Sequence, residues 1–269
     1  MSNSSARGTQ GLVAPARTIT IPGANYGLHV VPIYALLYEG VAELRQKGLE
    51  LITAEQLALV QMNCPGYAHS PLNRKGSFVK EGGLYFKPKG GSPYVLVTRA
   101  DKSPLLARIE GVAEAAKRHD EFHITAQEAA ELSELARKEP DDARRSGVLK
   151  LPLDKLVLAQ GNVCSSPRVP LDGLAENELT YFLLGKAAKP YGYWLKDQGV
   201  KDVSFTFFPL NLNIPAVRNY LDGQPFANQI RMSSTNMIRP YRHVELECLA
   251  LPSLPGWVIG VKEVLTKQR

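Results

Sequence analysis

Between Pro71 and Arg99 the chain sets Arg74, Lys75, Lys80, Lys87, Lys89 and Arg99 against a single acid, Glu81, and threads Phe78, Tyr85, Phe86 and Tyr94 between them. The stretch nets 6 − 1 = +5, against 32 − 26 = +6 for the whole chain, so the excess positive charge is concentrated there. Cationic groups hold phosphates and rings stack on bases, which is what single-stranded nucleic acid asks of a protein. Alternation along a strand puts Phe78 with Lys80, and Tyr85 with Lys87, on shared faces, leaving Leu84 and Phe86 for the core. A second polar segment, Gln224–Pro240, carries Asn228, Gln229, Arg231, Ser233, Ser234, Thr235, Asn236 and Arg239, donors suited to phosphate and sugar. The expected nucleic-acid contacts are therefore Arg74, Lys75, Lys80, Tyr85, Lys87, Lys89, Arg99, Arg231 and Arg239, with Tyr85, and Phe78 beside it, as base-stacking rings. The plain alternatives are an exposed hairpin turn with two solubilising lysines and a polar surface loop.

No other motif carries comparable weight. Lys87–Gly91 joins lysines to glycines but is not G-x-x-x-x-G-K-[ST]. Ser77–Lys80 matches S-x-x-K on a strand-like run, whereas that chemistry needs a helix start and a later K-T-G. His119 and His123 stand four apart, but Phe122–Ile124 reads as lying beyond the helix end, and His243-Val244-Glu245 lacks a P-C-x-x-C companion. Neither a catalytic residue, a metal nor a cofactor is expected. Cys64, Cys164 and Cys248 are odd in number and form no C-x-x-C pair, which points to reduced thiols and a cytoplasmic protein. The first residues hold no apolar core of signal-peptide length, and no run of eighteen apolar residues suits a bilayer.

These residues need elements to position them. Thr18–Ile21 and Leu28–Val31 read as strands, and Pro32 opens a helix whose face is Ile33, Leu36, Leu37, Val41 and Leu44. Thr53 with Gln56 boxes a second helix that ends at Asn63. Ser77–Lys80, Leu84–Lys87 and Tyr94–Arg99 read as a three-stranded meander turned by Gly82–Gly83 and by Pro88–Pro93. Helices are predicted from Ser103 to about His119 and from Thr125 to near Pro140. Residues 101–160 net 10 − 12 = −2 and read as a helical lobe facing protein or solvent, with no part in nucleic-acid binding. Strands follow at Val148–Leu151 and Leu156–Ala159, then a helix before Pro190, a strand at Val203–Phe208, and a C-terminal hairpin from Tyr241–Leu251 to Trp257–Leu265. Strand clusters separated by helices predict an α+β fold with a largely antiparallel sheet, a basic β-hairpin and a helical insertion at about 101–147. One domain over 18–269 follows a disordered tail at 1–17.

The order His29–Val30–Val31–Pro32, Gly82–Gly83–Leu84–Tyr85–Phe86, Val203–Phe208, then Arg239–Pro240 leading into Val244–Leu251, loosely resembles the backbone subunits of CRISPR effector complexes. Those belong to the repeat-associated superfamily built on an RNA-recognition-like fold. The resemblance covers four short stretches and implies a ferredoxin-like palm, an extruded hairpin, assembly along a guide RNA with other protein subunits, and no catalysis. The residues themselves predict a non-enzymatic protein that binds single-stranded RNA or DNA. The rivals from other classes are a phosphate-substrate enzyme and a scaffolding or viral structural protein.

Overall fold

The computed structural model describes residues 12–13, 15–64, 76–153, 158–160, 163–165, 168–207, 225–235, 242–250 and 255–265. The architecture is α+β around a mostly antiparallel sheet, as the clustering of strand-like runs predicts. Strands β1 (Leu12–Val13) and β2 (Arg17–Thr20) line one edge of β3 (Tyr26–Ala35), which pairs along its whole length with β15 (Gly256–Leu265). Beyond β15 lie β5 (Ser77–Phe86), β13 (Phe226–Thr235), β14 (Arg242–Ala250), β12 (Val200–Phe207) and β11 (Arg168–Pro170). Four short strands branch from this path: β4 (Glu50–Leu51) on β15, β6 (Tyr94–Thr98) on β5, β7 (Phe122–His123) on β13, and β8 (Val148–Pro152) on β6. The strands β9 (Leu158–Gln160) and β10 (Val163–Ser165) form a separate ribbon.

Helices cover both faces. On one side α1 (Leu37–Gln46), α3 (Pro104–Ala107), α4 (Ile109–Lys117) and α5 (Ala126–Leu135) pack with Phe78, Leu84, Leu96 and Val258. On the other, α2 (Ala54–Asn63), α6 (Pro140–Ser146), α7 (Glu178–Leu184) and α8 (Ala188–Asp197) pack with Val79, Tyr85, Val95, Val97 and Ile259. The central strands are consequently buried at nearly every position, and β5 exposes even partly only Lys80 and Phe86. A strand between two helical layers reads as a continuous apolar run rather than an alternating one.

The capping boxes at Thr53–Gln56 and Thr125–Glu128 both form, each hydroxyl accepting from the N3 amide while the N3 side chain accepts from the cap amide. Other expectations are corrected. Pro32 lies inside β3, between the residues that pair with β2 (Gly27–Val30) and those that pair with β1 (Ile33, Tyr34), where that edge asks nothing of its missing N–H. Within the expected tail, Leu12–Val13 pair with the edge of β3, and residues 1–11 and 14 lie outside the described residues. The helix expected before Pro190 forms as α7; what the sequence reading lacks is the further helix α8, which holds Pro190 in its first turn, a position a helix tolerates. The C-terminal hairpin does not exist: β14 pairs with β13 and β12, while β15 crosses to β3 and β5. Asn228, Gln229 and Arg231 belong to strand β13, not to a polar loop.

Gly82 and Gly83 do not turn the chain. They lie within β5, where a Cβ on Gly82 would stand 3.1 Å from Ser103 Oγ and 3.4 Å from the Asn228 carbonyl. Here the register between β5 and β13 shifts, and the Gln229 side-chain amide fills the irregularity by donating to the carbonyls of Val79 and of Glu81, the latter at 2.9 Å. Glu81 is wholly buried beside it, with Oε2 accepting from the Ala54 N–H at the start of α2, 2.9 Å away. Burial outweighs that bond and the nearby Arg99 and Lys80 charges, and the carboxyl is pushed up to about 7.

A folded pKa raised from 4.5 to about 7 means that Glu81 contributes stability fully present below about pH 4.5 and lost as the pH rises through about 7. Between about pH 5 and about pH 9, Glu81→Gln should gain about 3 kcal/mol relative to the natural protein in urea unfolding. An unchanged difference would show that the carboxylate is not penalised. A second expectation concerns close packing: a Cβ on Gly40 of α1 would stand 2.5 Å from Val258 Cγ2. Gly40→Ala should therefore lower stability by about 1 kcal/mol or more despite alanine's better helix propensity, read as a lower urea midpoint.

Candidate nucleic-acid interface

The sequence-predicted contacts separate in space. Tyr85 is 1 % exposed and stacks on Phe226 with ring centroids 4.7 Å apart, and Phe78 is 2 % exposed. Neither ring has a face for a base, because the strand that carries them is covered on both sides. Lys80 pairs with Glu50 beside β4. Arg99 stands 3.8 Å from Glu55, a carboxylate that also takes Arg144 Nη2 at 2.7 Å. Arg144 in turn donates to the carbonyls of Tyr181 and Phe182, so this cluster ties α2, β6, α6 and α7 together. Arg231 lies over the Phe78 ring at 5.1 Å, opposite Phe78 in the register and five residues along β13 from the Phe226 pair. At about 3.3 Å per residue, that is about 17 Å from the hairpin end of the sheet. Where phosphate or base contacts were expected, Tyr85 is thus packed inside the sheet, Lys80 meets Glu50, Arg99 meets Glu55, and Arg231 lies over Phe78. Arg74, Lys75 and Arg239 lie outside the described residues.

Lys87 and Lys89 remain at the tip of the β5–β6 hairpin, where the Gly91 N–H bonds to the Pro88 carbonyl at 2.9 Å and Gly90 takes φ +73°. The positive φ explains a glycine there. Lys89 is exposed and Lys87 half-buried.

Beside this tip runs an open groove of about 820 Å³. Pro88, Ser92, Pro93 and Tyr94 of the hairpin form one wall, and Leu149, Lys150 and Pro152 of β8 continue it. The segment leaving α5 closes the other side with Ser133, Ala136, Arg137 and Lys138, and Glu178 at the start of α7 stands at the rim. The β8 register puts Lys150 opposite Leu96, two residues from Tyr94, so its ammonium rests 3.9 Å from the Tyr94 ring centroid and donates to Ser133 Oγ at 3.2 Å. A cation over a ring face is held there electrostatically. Phe86 meets the same ring edge-on at 5.4 Å, and burial raises the Tyr94 phenol pKa. Arg137 is fixed at its head by bonds from Nη1 to the carbonyls of Glu134, 2.8 Å, and Ala136, 3.0 Å.

The groove therefore gathers Arg137, Lys138 and Lys150 next to Lys87 and Lys89, with Glu178 the acid among its lining residues. The three added cations come from the segment whose summed charge is −2. Summation hides them: most acids of the segment lie elsewhere along it, while Arg137–Lys138, just past α5, and Lys150, in the middle of β8, line the groove. Chemically the groove can hold anionic groups. Elsewhere, Asp120, Glu121 and His123 bring one ligand atom each within 4.8 Å of one another just past α4, with Asp120 exposed and the other two half-buried. Among the described residues no helix is long and apolar enough to cross a membrane.

No family model matches the chain, and no curated protein matches it. Among solved structures it is similar to one from Nanoarchaeota, described as the accommodation of massive sequence variation by the C-type lectin fold. The TM-score is 0.59 with 14 % identity, over 90 % of this chain and 100 % of that one. At that identity the likeness speaks to the fold alone, and the fold it points to is that of a C-type lectin rather than an RNA-recognition-like palm.

Proposed function

We infer that this protein is a non-enzymatic binder of single-stranded RNA, serving as a subunit of a ribonucleoprotein. The observation that carries the reading is the groove, where Lys150 on the hairpin side and Arg137 and Lys138 on the other come together with Glu178 as the acid among the lining residues, and Lys87 and Lys89 stand at the adjoining hairpin tip. Phosphodiester groups spaced along a strand suit such a lining, and the affinity they give is electrostatic. Assembly along a guide RNA in an antiviral effector is the finer form of this reading, supported by the four stretches that resemble CRISPR backbone subunits.

The lectin-like frame favours a second reading. The similar nanoarchaeal structure is described as accommodating massive sequence variation, and loops carried on a rigid sheet are equally a frame for binding another protein.

Purification separates the two. A co-purifying nucleic acid, recovered and sequenced, supports the first, and a single repeated guide-like species supports its finer form; nucleic-acid-free assemblies favour the second. Replacing Arg137, Lys138 and Lys150 together by Ala should flatten the dependence of log affinity for an oligonucleotide on log salt by about 2, at about 0.7 per phosphate contact. An unchanged slope would remove the groove from the interface.

A further inference from the structure

Helix α8 has two sharply different faces. Ala188, Tyr191, Gly192 and Leu195 are buried, and a Cβ on Gly192 would stand 2.6 Å from the Leu171 carbonyl, so the helix lies pressed on the turn Leu171–Gly173 and its rotation is fixed. Tyr191 donates to Gln61 Oε1 at 2.6 Å and stacks on the half-buried Trp194, ring centroids 5.6 Å apart. These rings are used in packing. Tyr193 is not: it is 53 % exposed, and among the described residues it is the one aromatic that stands out in solvent to this degree.

Lys186, Lys189 and Lys196 flank it. Spacings of four and three put Lys189, Tyr193 and Lys196 on one side of α8, Lys186 stands in the 3-10 turn Gly185–Ala187 that runs into it, and all four are exposed. The acids nearby, Asp172 and Asp197, gather at the far end, where Lys196 stands 3.5 Å from Asp172 with both side chains largely in water. Such a pair holds little. The Lys186–Tyr193 part of the stripe carries no acid.

An exposed ring between cations meets the two requirements of single-stranded nucleic acid that β5 fails to meet. We propose that the outward face of α8 is a second contact surface for single-stranded nucleic acid, with a base stacked on Tyr193 and flanking phosphates held by Lys186 and Lys189. The proposal rests on the reading of the protein as a nucleic-acid binder, and it assigns to α8 the stacking that the groove cannot give, since Lys150 occupies one face of the groove's Tyr94 ring.

The test is fluorescence anisotropy of a labelled single-stranded oligonucleotide on the full chain. Tyr193→Ala should weaken binding roughly 5- to 150-fold, the effect of losing one stacked base, and Tyr193→Phe should retain most of it. Lys186→Glu with Lys189→Glu should weaken binding and flatten its salt dependence. Equal losses in Tyr193→Ala and Tyr193→Phe would overturn stacking. Unchanged binding in Tyr193→Ala, with loss in the Arg137, Lys138 and Lys150 variant, would overturn the α8 surface and leave the wider reading standing. No binding by the natural protein would overturn both.

Discussion

The burial of β5 on both faces is the constraint on which the other features depend. A strand held between two helical layers must satisfy its polar groups internally, because water reaches neither side. Gln229 therefore spends its amide on the carbonyls of Val79 and Glu81, Gly82 is kept free of a side chain against Ser103 and Asn228, and Glu81 takes the first amide of α2. The same burial removes Phe78 and Tyr85 from any ligand. The proposed contacts accordingly fall away from the enclosed sheet, at the hairpin tip, at the segment leaving α5 and on the outer side of α8.

The fold class was legible because it follows from local signals: two capping boxes, apolar helix faces and strand-like runs in clusters. What could not be read was which strands the sheet would enclose. Gly82–Gly83 has the composition of a turn and the role of a close approach, a difference decided by Ser103 and Asn228, which are distant in sequence. Alternation of ring and cation along β5 looks the same whether one face or two are covered, so it points Tyr85 outward where the fold buries it, and it cannot show that Lys80, still partly exposed, meets Glu50. Pro32 likewise reads as a helix opener, and only the gap between β1 and β2 makes it acceptable in a strand.

The site was half legible. Of the proposed site, Lys87 and Lys89 are legible because a short hairpin carries its tip beyond the sheet, where Lys89 is exposed and Lys87 half-buried. Arg137, Lys138 and Lys150 were lost by summing charge over a lobe when the relevant quantity is charge at one end of it. The Lys189–Tyr193–Lys196 spacing is helical, but with no helix expected after Pro190 it does not read as a stripe. In the function proposed, these residues would divide the work: fixed cations in the groove for charge, and an exposed ring on α8 for the base.

Ultraviolet crosslinking of single-stranded RNA to the full-length protein, followed by mass spectrometry of the adducts, tests this account most directly. Adducts in the hairpin tip, in the 133–138 segment with β8, and on Tyr193 are the result it predicts. Adducts on Phe78 or Tyr85 within the sheet, or none on the folded protein, would contradict it.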